Sequence, residues 1–86
     1  MISCQFSLYP LGVADLSPAI EAAVGEFRRL GLETNVGPMS TYVSGDAESV
    51  FHGLRRAFEV AAQAGHVVLT VTVSNACPLP SPGKVC

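Results

Sequence analysis

Charge is what this 86-residue chain has least of: Asp, Glu, Lys and Arg make up 14% of it, against about 25% in an average soluble domain. Five Lys and Arg stand against seven Asp and Glu, for a net charge of −2. A nucleic-acid footprint needs clustered Lys and Arg, so no nucleic-acid partner is expected. Tryptophan is absent, and the three cysteines, Cys4, Cys77 and Cys86, lack CxxC or Cys/His spacing. This argues against a disulfide framework, a zinc site and four-thiolate iron–sulfur ligation, and predicts reduced thiols in a cytoplasmic setting. No apolar run reaches the roughly 18–20 residues of a membrane span, so no membrane insertion is expected. The opening "MISCQFSLYP" has no basic region followed by an apolar stretch and is not read as a secretory signal.

What is there is hydrophobicity, at 49% of residues with a mean hydropathy of +0.40. The length suits one domain with a single small core. A small chain with so little charge is expected to cover surface against copies of itself, which predicts a homo-oligomer.

Residues 2 to 9 alternate, with Ile2, Cys4, Phe6 and Leu8 against Ser3, Gln5, Ser7 and Tyr9, which predicts a strand. A helix follows, with Ser17 expected at the N-cap, Pro18 at the first helical position and Gly31 closing the end. Its apolar stripe is Leu16, Ile20, Ala23, Val24, Phe27 and Leu30, and Gly25 inside it is read as a point of close packing on the sheet. Two short strands, about Glu33–Val36 and Met39–Ser44, meet through Gly37-Pro38. Asp46 is expected to cap a second helix running to Ala64, with Val50, Leu54, Ala57, Phe58 and Ala61 as its stripe and Gly65 at its end. The last strand is His66 to Ser74. The Pro-rich tail, residues 79–86, continues neither pattern, so the folded domain is placed at residues 1–78.

The order β-α-β-β-α-β, with right-handed crossovers, puts both helices on one side of a four-stranded antiparallel sheet. The fold class is α+β, a ferredoxin-like sandwich. Ten of the twelve charged residues then fall on or beside the helices, leaving Glu33 in a strand and Lys84 in the tail. The core face takes Cys4, Phe6 and Leu8, with Val67, Leu69, Val71 and Val73. The other face carries Gln5, Ser7, Tyr9, Val68, Thr70, Thr72 and Ser74. In the third strand Met39, Thr41 and Val43 alternate with Ser40, Tyr42 and Ser44, and the facing is open. Hydroxyls and amides can be buried when hydrogen-bonded, whereas charges cannot, so the uncharged face reads as an interface or a pocket wall.

Several chemistries hosted by this fold lack their signatures. Base stacking on central-strand aromatics needs a basic surround, which Tyr9 does not have. A phosphate-cradling loop with an arginine in the strand region is missing, since all four arginines lie on helices. No Ser/His/Asp set is legible. His66 reads first as a residue opening the last strand and second as a base or ligand contact. Cys77, in "SNACP", reads first as a bystander thiol and second as a reactive one. Asn75 serves a turn or a ligand equally well.

Three segments carry a resemblance: "QFSLYPLG", "GPMSTYVSGD" and "GHVVLTVTVSNACP". In that order and spacing, over about residues 3 to 78, the chain resembles the YkoF-like family that binds thiamine and hydroxymethylpyrimidine, related to the small tetrameric proteins of the DUF77 group. The resemblance implies a ferredoxin-like domain that pairs through its sheet faces as a homodimer or homotetramer. It also implies non-catalytic binding of thiamine or its hydroxymethylpyrimidine moiety, for salvage, transport or buffering, with no cofactor or metal. Some members carry two such domains in one chain, so here a homodimer would stand in for the pair. The implied ligand region draws on Gln5, Ser7, Tyr9, Ser40, Thr41, Tyr42, Asn75 and Cys77. The alternatives are a structural or regulatory oligomeric module that uses the polar face only for assembly, and a small enzyme of the dimeric α+β barrel type with His66 as base.

Overall fold

The alternation at the start of the chain becomes β1 (Ile2–Pro10), followed by α1 (Ser17–Arg29), β2 (Glu33–Val36), β3 (Thr41–Gly45), α2 (Ala47–Ala62) and β4 (Val67–Ser74). The computed structural model describes residues 1–76; Cys77 and the expected 79–86 tail, with Lys84 and Cys86, lie outside the described residues. The sheet order is β2-β3-β1-β4, and every neighbouring pair is antiparallel. Both helices pack on one face, which gives the expected ferredoxin-like sandwich.

Register decides which side chains share that face. Phe6 pairs with Thr41 and with Val71, and Cys4 pairs with Val43 and with Val73, so all six point toward the helices. The core gathers Cys4, Phe6, Leu8, Ala23, Phe27, Val43, Val50, Leu54, Ala57 and Ala61. At its centre the Phe6 and Phe27 rings stack with centroids 5.1 Å apart. The open facing of the third strand is thereby resolved: Thr41 and Val43 lie under the helices, while Tyr42 and Ser44 share the other face with Gln5 and Ser3. Val71 and Val73 stand on the core side but remain 39% exposed. The reason is position, for β4 is an edge strand that the two helices do not fully cover. Phe58, expected in the core stripe of α2, is likewise 43% exposed.

The helix ends show what the local sequence does. Asp46 caps α2 as expected, its Oδ2 accepting from the Ser49 N–H at 2.9 Å. That backbone hydrogen bond, joined by one from the Ser49 side chain, holds the Asp46 carboxyl below the usual carboxylate range. For α1 the N-cap is Leu16, not Ser17, because Asp15 Oδ1 accepts from the Ser17 N–H at 3.0 Å and draws Ser17 into the first turn. The helix closes in a Schellman arrangement: Leu32 N–H donates to Phe27 O at 3.2 Å and Gly31 N–H to Arg28 O at 3.0 Å. Gly31 takes φ +74°, a conformation that costs a side-chain-bearing residue about 1 kcal/mol or more. Gly37 N–H donates to Ser40 O at 2.9 Å, which keeps residues 37–40 in a turn and starts β3 at Thr41 rather than Met39. At the far ends, α2 stops at Ala62 and β4 begins at Val67.

The close approach expected at Gly25 is found instead at Gly53. A Cβ on Gly25 would meet nothing within 4 Å, whereas one on Gly53 would lie 2.6 Å from a Phe27 ring carbon. Phe27 is fully buried and stacked on Phe6, so it has nowhere to move. Above this contact Glu26, 8% exposed, accepts from Arg56 Nε at 3.3 Å and pairs with Arg29 at 3.2 Å, tying the outer surfaces of α1 and α2 together.

Two predictions follow from this packing. Gly53→Ala gains about 1 kcal/mol of helix propensity, but overpacking costs about 1–3 kcal/mol, so urea unfolding should show a net loss. Gly25→Ala should stabilise by up to about 1 kcal/mol, since only the propensity term applies. The cap makes a pH-dependent prediction as well. Because the folded-state pKa of Asp46 is lowered, its contribution is present above the unfolded carboxylate pKa and is lost as pH falls through the folded value. Asp46→Ala should therefore melt earlier than wild type at neutral pH, and the gap should close in acid melts.

Candidate functional site

β1 runs out beneath the start of α1 and beside the β2–β3 turn, and these three elements enclose a cleft of about 340 Å³. Ser7 and Tyr9 enter from β1, Leu16 and Ile20 from the start of α1, and Val36 through Thr41 from the turn. All of Phe6 to Tyr9 line the cleft: alternation turns Phe6 and Leu8 toward α1 and Ser7 and Tyr9 to the opposite face, so the cleft wraps the strand where β3 no longer covers it. The α1 contribution follows from Leu16 and Ile20, four residues apart and on one side of the helix. The Ser7 hydroxyl donates to Met39 O at 3.1 Å and so pins the turn to β1. Its lone pairs remain to accept from something in the cleft. Met39 is 87% exposed at the rim, and Tyr9 is 48% exposed.

No charged side chain lines this cleft. The walls are apolar, with hydroxyls from Ser7, Tyr9, Ser40 and Thr41 set among them. Such a site suits a small neutral ring bearing a few hydrogen-bonding groups, and its volume falls near the lower end of the range of about 300–1,000 Å³ for small-molecule sites. The only thiol among the described residues, Cys4, is in the core, where burial pushes its pKa up to about 11. It stays protonated at neutral pH and is no nucleophile. Among the described residues no three His, Cys, Asp or Glu gather as metal ligands, and no helix is long and apolar enough to cross a membrane.

Of the residues expected at the ligand, Ser7, Tyr9, Ser40 and Thr41 meet in this one cleft. Gln5 and Tyr42 are cross-strand partners on the open face, next in line along the sheet but outside the cleft lining. Asn75 follows Ser74, which pairs with Ser3, and so sits at the opposite end of β1 from Tyr9. Six residues of strand separate Ser3 from Tyr9, roughly 20 Å. Within one chain, then, Asn75 is not part of the cleft, and Cys77 lies outside the described residues. The spacing of Leu16 and Ile20 marks them as core, yet in the structure they form the apolar wall of the cleft.

His66 opens onto a second cleft, of about 370 Å³, with Asp15 at its edge and Leu11, Val13, Val60 and Ala64 among its walls. Its carbonyl accepts from the Leu11 N–H at 2.9 Å, joining the end of β1 to the start of β4. The bond is made by the backbone, and β4 itself begins one residue later, at Val67 and not at His66 as expected.

The chain matches the YKOF-related family over residues 1–80. It is 33% identical over 76 residues to a Bacillus subtilis (strain 168) protein named "Putative HMP/thiamine-binding protein YkoF". That stretch is 87% of this chain but 38% of the relative, so the chain spans well under half the relative's length. Among solved structures, a hypothetical protein of Methanocaldococcus jannascii superposes with a TM-score of 0.81 at 21% identity, covering 86% of this chain and 78% of that one. A DUF77 domain from Bacillus cereus gives 0.75 at 21% identity, covering 90% and 76%. A Thermotoga maritima protein described as a "putative thiamine biosynthesis/salvage protein" gives 0.74 at 20% identity, covering 99% and 88%. At these identities the structural likeness shows the fold.

Proposed function

We propose that this chain, which belongs to the YKOF-related family, binds thiamine or its hydroxymethylpyrimidine moiety without catalysis and without a further cofactor, in salvage, transport or buffering. The observation that carries the reading is the uncharged cleft at the end of β1, in a chain whose Bacillus subtilis relative is named for this ligand pair. An aminopyrimidine presents ring nitrogens that accept and an exocyclic amine that donates. Ser7, with its proton engaged by Met39 O, offers an acceptor to that amine. The hydroxyls of Ser40 and Thr41 supply donors to the ring nitrogens, and the half-exposed Tyr9 ring supplies a stacking surface.

Gln5, Tyr42, Asn75 and Cys77 belong to the same proposal through a second copy. Packing two open sheet faces together in a homodimer, or within a homotetramer, would cover Tyr42, Thr70 and Thr72 and set one chain's residues beside the other's cleft. The face carries one charge, Glu33, which pairs with Ser44 on the outer strand β2; over β3, β1 and β4 it is uncharged, and that part supports the assembly, since hydroxyls survive burial where charges would not. The same face supports the second reading, an assembly module with no small ligand.

Titration calorimetry with hydroxymethylpyrimidine and with thiamine separates the two. Saturable micromolar binding of either is expected. Ser7→Ala should weaken it about fivefold, the equivalent of one hydrogen bond of about 1 kcal/mol, with the oligomer intact. No heat from either ligand, with Thr72→Arg dissociating the oligomer, would select the assembly module.

A further inference from the structure

The turn that closes one side of the cleft carries the most exposed large apolar side chain among the described residues. Met39 is 87% exposed. Exposed apolar residues scattered singly are ordinary, but Met39 is not scattered. Tyr9, Leu16 and Val36 line the same cleft, and each of them is at least 39% exposed. Four large apolar side chains thus stand partly open around one cleft.

The backbone of Met39 is held while its side chain is not. Its carbonyl accepts from the Ser7 hydroxyl at 3.1 Å, and Gly37 N–H closes the turn by donating to Ser40 O at 2.9 Å. A Cβ on Gly37 would come within 2.9 Å of that same Ser40 oxygen, so a side chain there would push the turn open. Met39 is therefore anchored at its root on β1, while the rotatable bonds of its side chain let the thioether swing over the cleft. A fixed root leaves less to be ordered when a ligand arrives.

The chemistry of the side chain identifies what it covers. A thioether is apolar and polarisable, and it packs well on aromatic rings, with the sulfur about 5 Å from the ring. We propose, resting on the pyrimidine reading above, that Met39 is the clamp of the ligand site. Its side chain folds over the bound ring on the side away from Tyr9. The ring then lies between a phenol on the fixed strand and a thioether on the turn. The hydroxyls of Ser7, Ser40 and Thr41 read the edge of the ligand, while Tyr9 and Met39 read its two faces. Such a clamp selects a flat aromatic ring, and closing it takes the Met39 side chain and the ligand out of water together.

The chain has two methionines, Met1 and Met39, so protein labelled at the methionine methyl groups gives two signals. Met1 precedes Ile2, which pairs with Gly45 at the end of β1 away from the cleft, and serves as the control. Titration with hydroxymethylpyrimidine should move the Met39 signal upfield, into the shielded region over a ring face, and leave Met1 in place. Met39→Ala keeps the carbonyl that accepts from Ser7. It should weaken the affinity about two- to tenfold in calorimetry, with the circular dichroism unchanged. Met39→Leu, of similar volume, should stay within about twofold of wild type. Saturable heat with a stationary Met39 methyl, or wild-type affinity in Met39→Ala, would overturn the clamp and leave the pyrimidine reading standing. No saturable heat from the wild type would remove both. A Met39 signal that moves with protein concentration before any ligand is added would also overturn the clamp, and would assign the side chain to a contact between copies.

Discussion

The contact of Phe27 with Phe6 on one side and Gly53 on the other sets the rest of the molecule. The ring stack seats α1 on β1, and the missing side chain at Gly53 lets α2 come down beside it. With α1 fixed in place, its first turn overhangs the end of β1, and Leu16 and Ile20 become a wall above Phe6 and Leu8, beside which Ser7 and Tyr9 reach the cleft from the other face. The Schellman closure at Gly31 then turns the chain back into β2. The hydrogen bond from Ser7 to Met39 O draws the next turn over the same strand end. The cleft is thus a consequence of how one helix is seated on the central strand.

A second constraint is the distribution of charge. Nearly all of it lies on the outer surfaces of the helices, where Glu26, Arg29, Arg56 and Glu59 also tie α1 to α2. Apart from Glu33 on the β2 edge, the open face of the sheet is left with hydroxyls, the amides of Gln5 and Asn35 and aliphatic side chains. Such a surface can face solvent, a ring ligand or another chain without a large desolvation cost. The proposed cleft chemistry and the proposed face-to-face assembly both draw on that property.

The fold was legible because pattern and turn chemistry agreed at most points. Strict alternation in β1, the Asp46 cap and the glycines after each helix all pointed to one element order. The rest depended on contacts that a single sequence does not carry. Two helical glycines looked alike, and only the position of Phe27 shows that Gly53 is the forced one. In "STYVS", residues 40–44, hydroxyls occur at both parities, so facing comes from register with Phe6 rather than from alternation. Val71 and Val73 follow the core pattern but belong to an edge strand, and period-two reading does not distinguish edge from centre. Half of the candidate site was legible for the same reason. Ser7, Tyr9, Ser40 and Thr41 converge because adjacent strands bring them together, while Asn75 was placed by sequence order at a strand end that proves to be the far one.

The central claim is that the cleft at the end of β1 holds a pyrimidine ring. Amide chemical shifts recorded while hydroxymethylpyrimidine is titrated into the labelled protein test it most directly. The account predicts saturable shifts centred on Ser7, Tyr9, Ser40 and Thr41, with Leu16 and Ile20 following. Shifts centred instead on the second cleft around His66 and Val60, or no shifts at millimolar ligand, would contradict it.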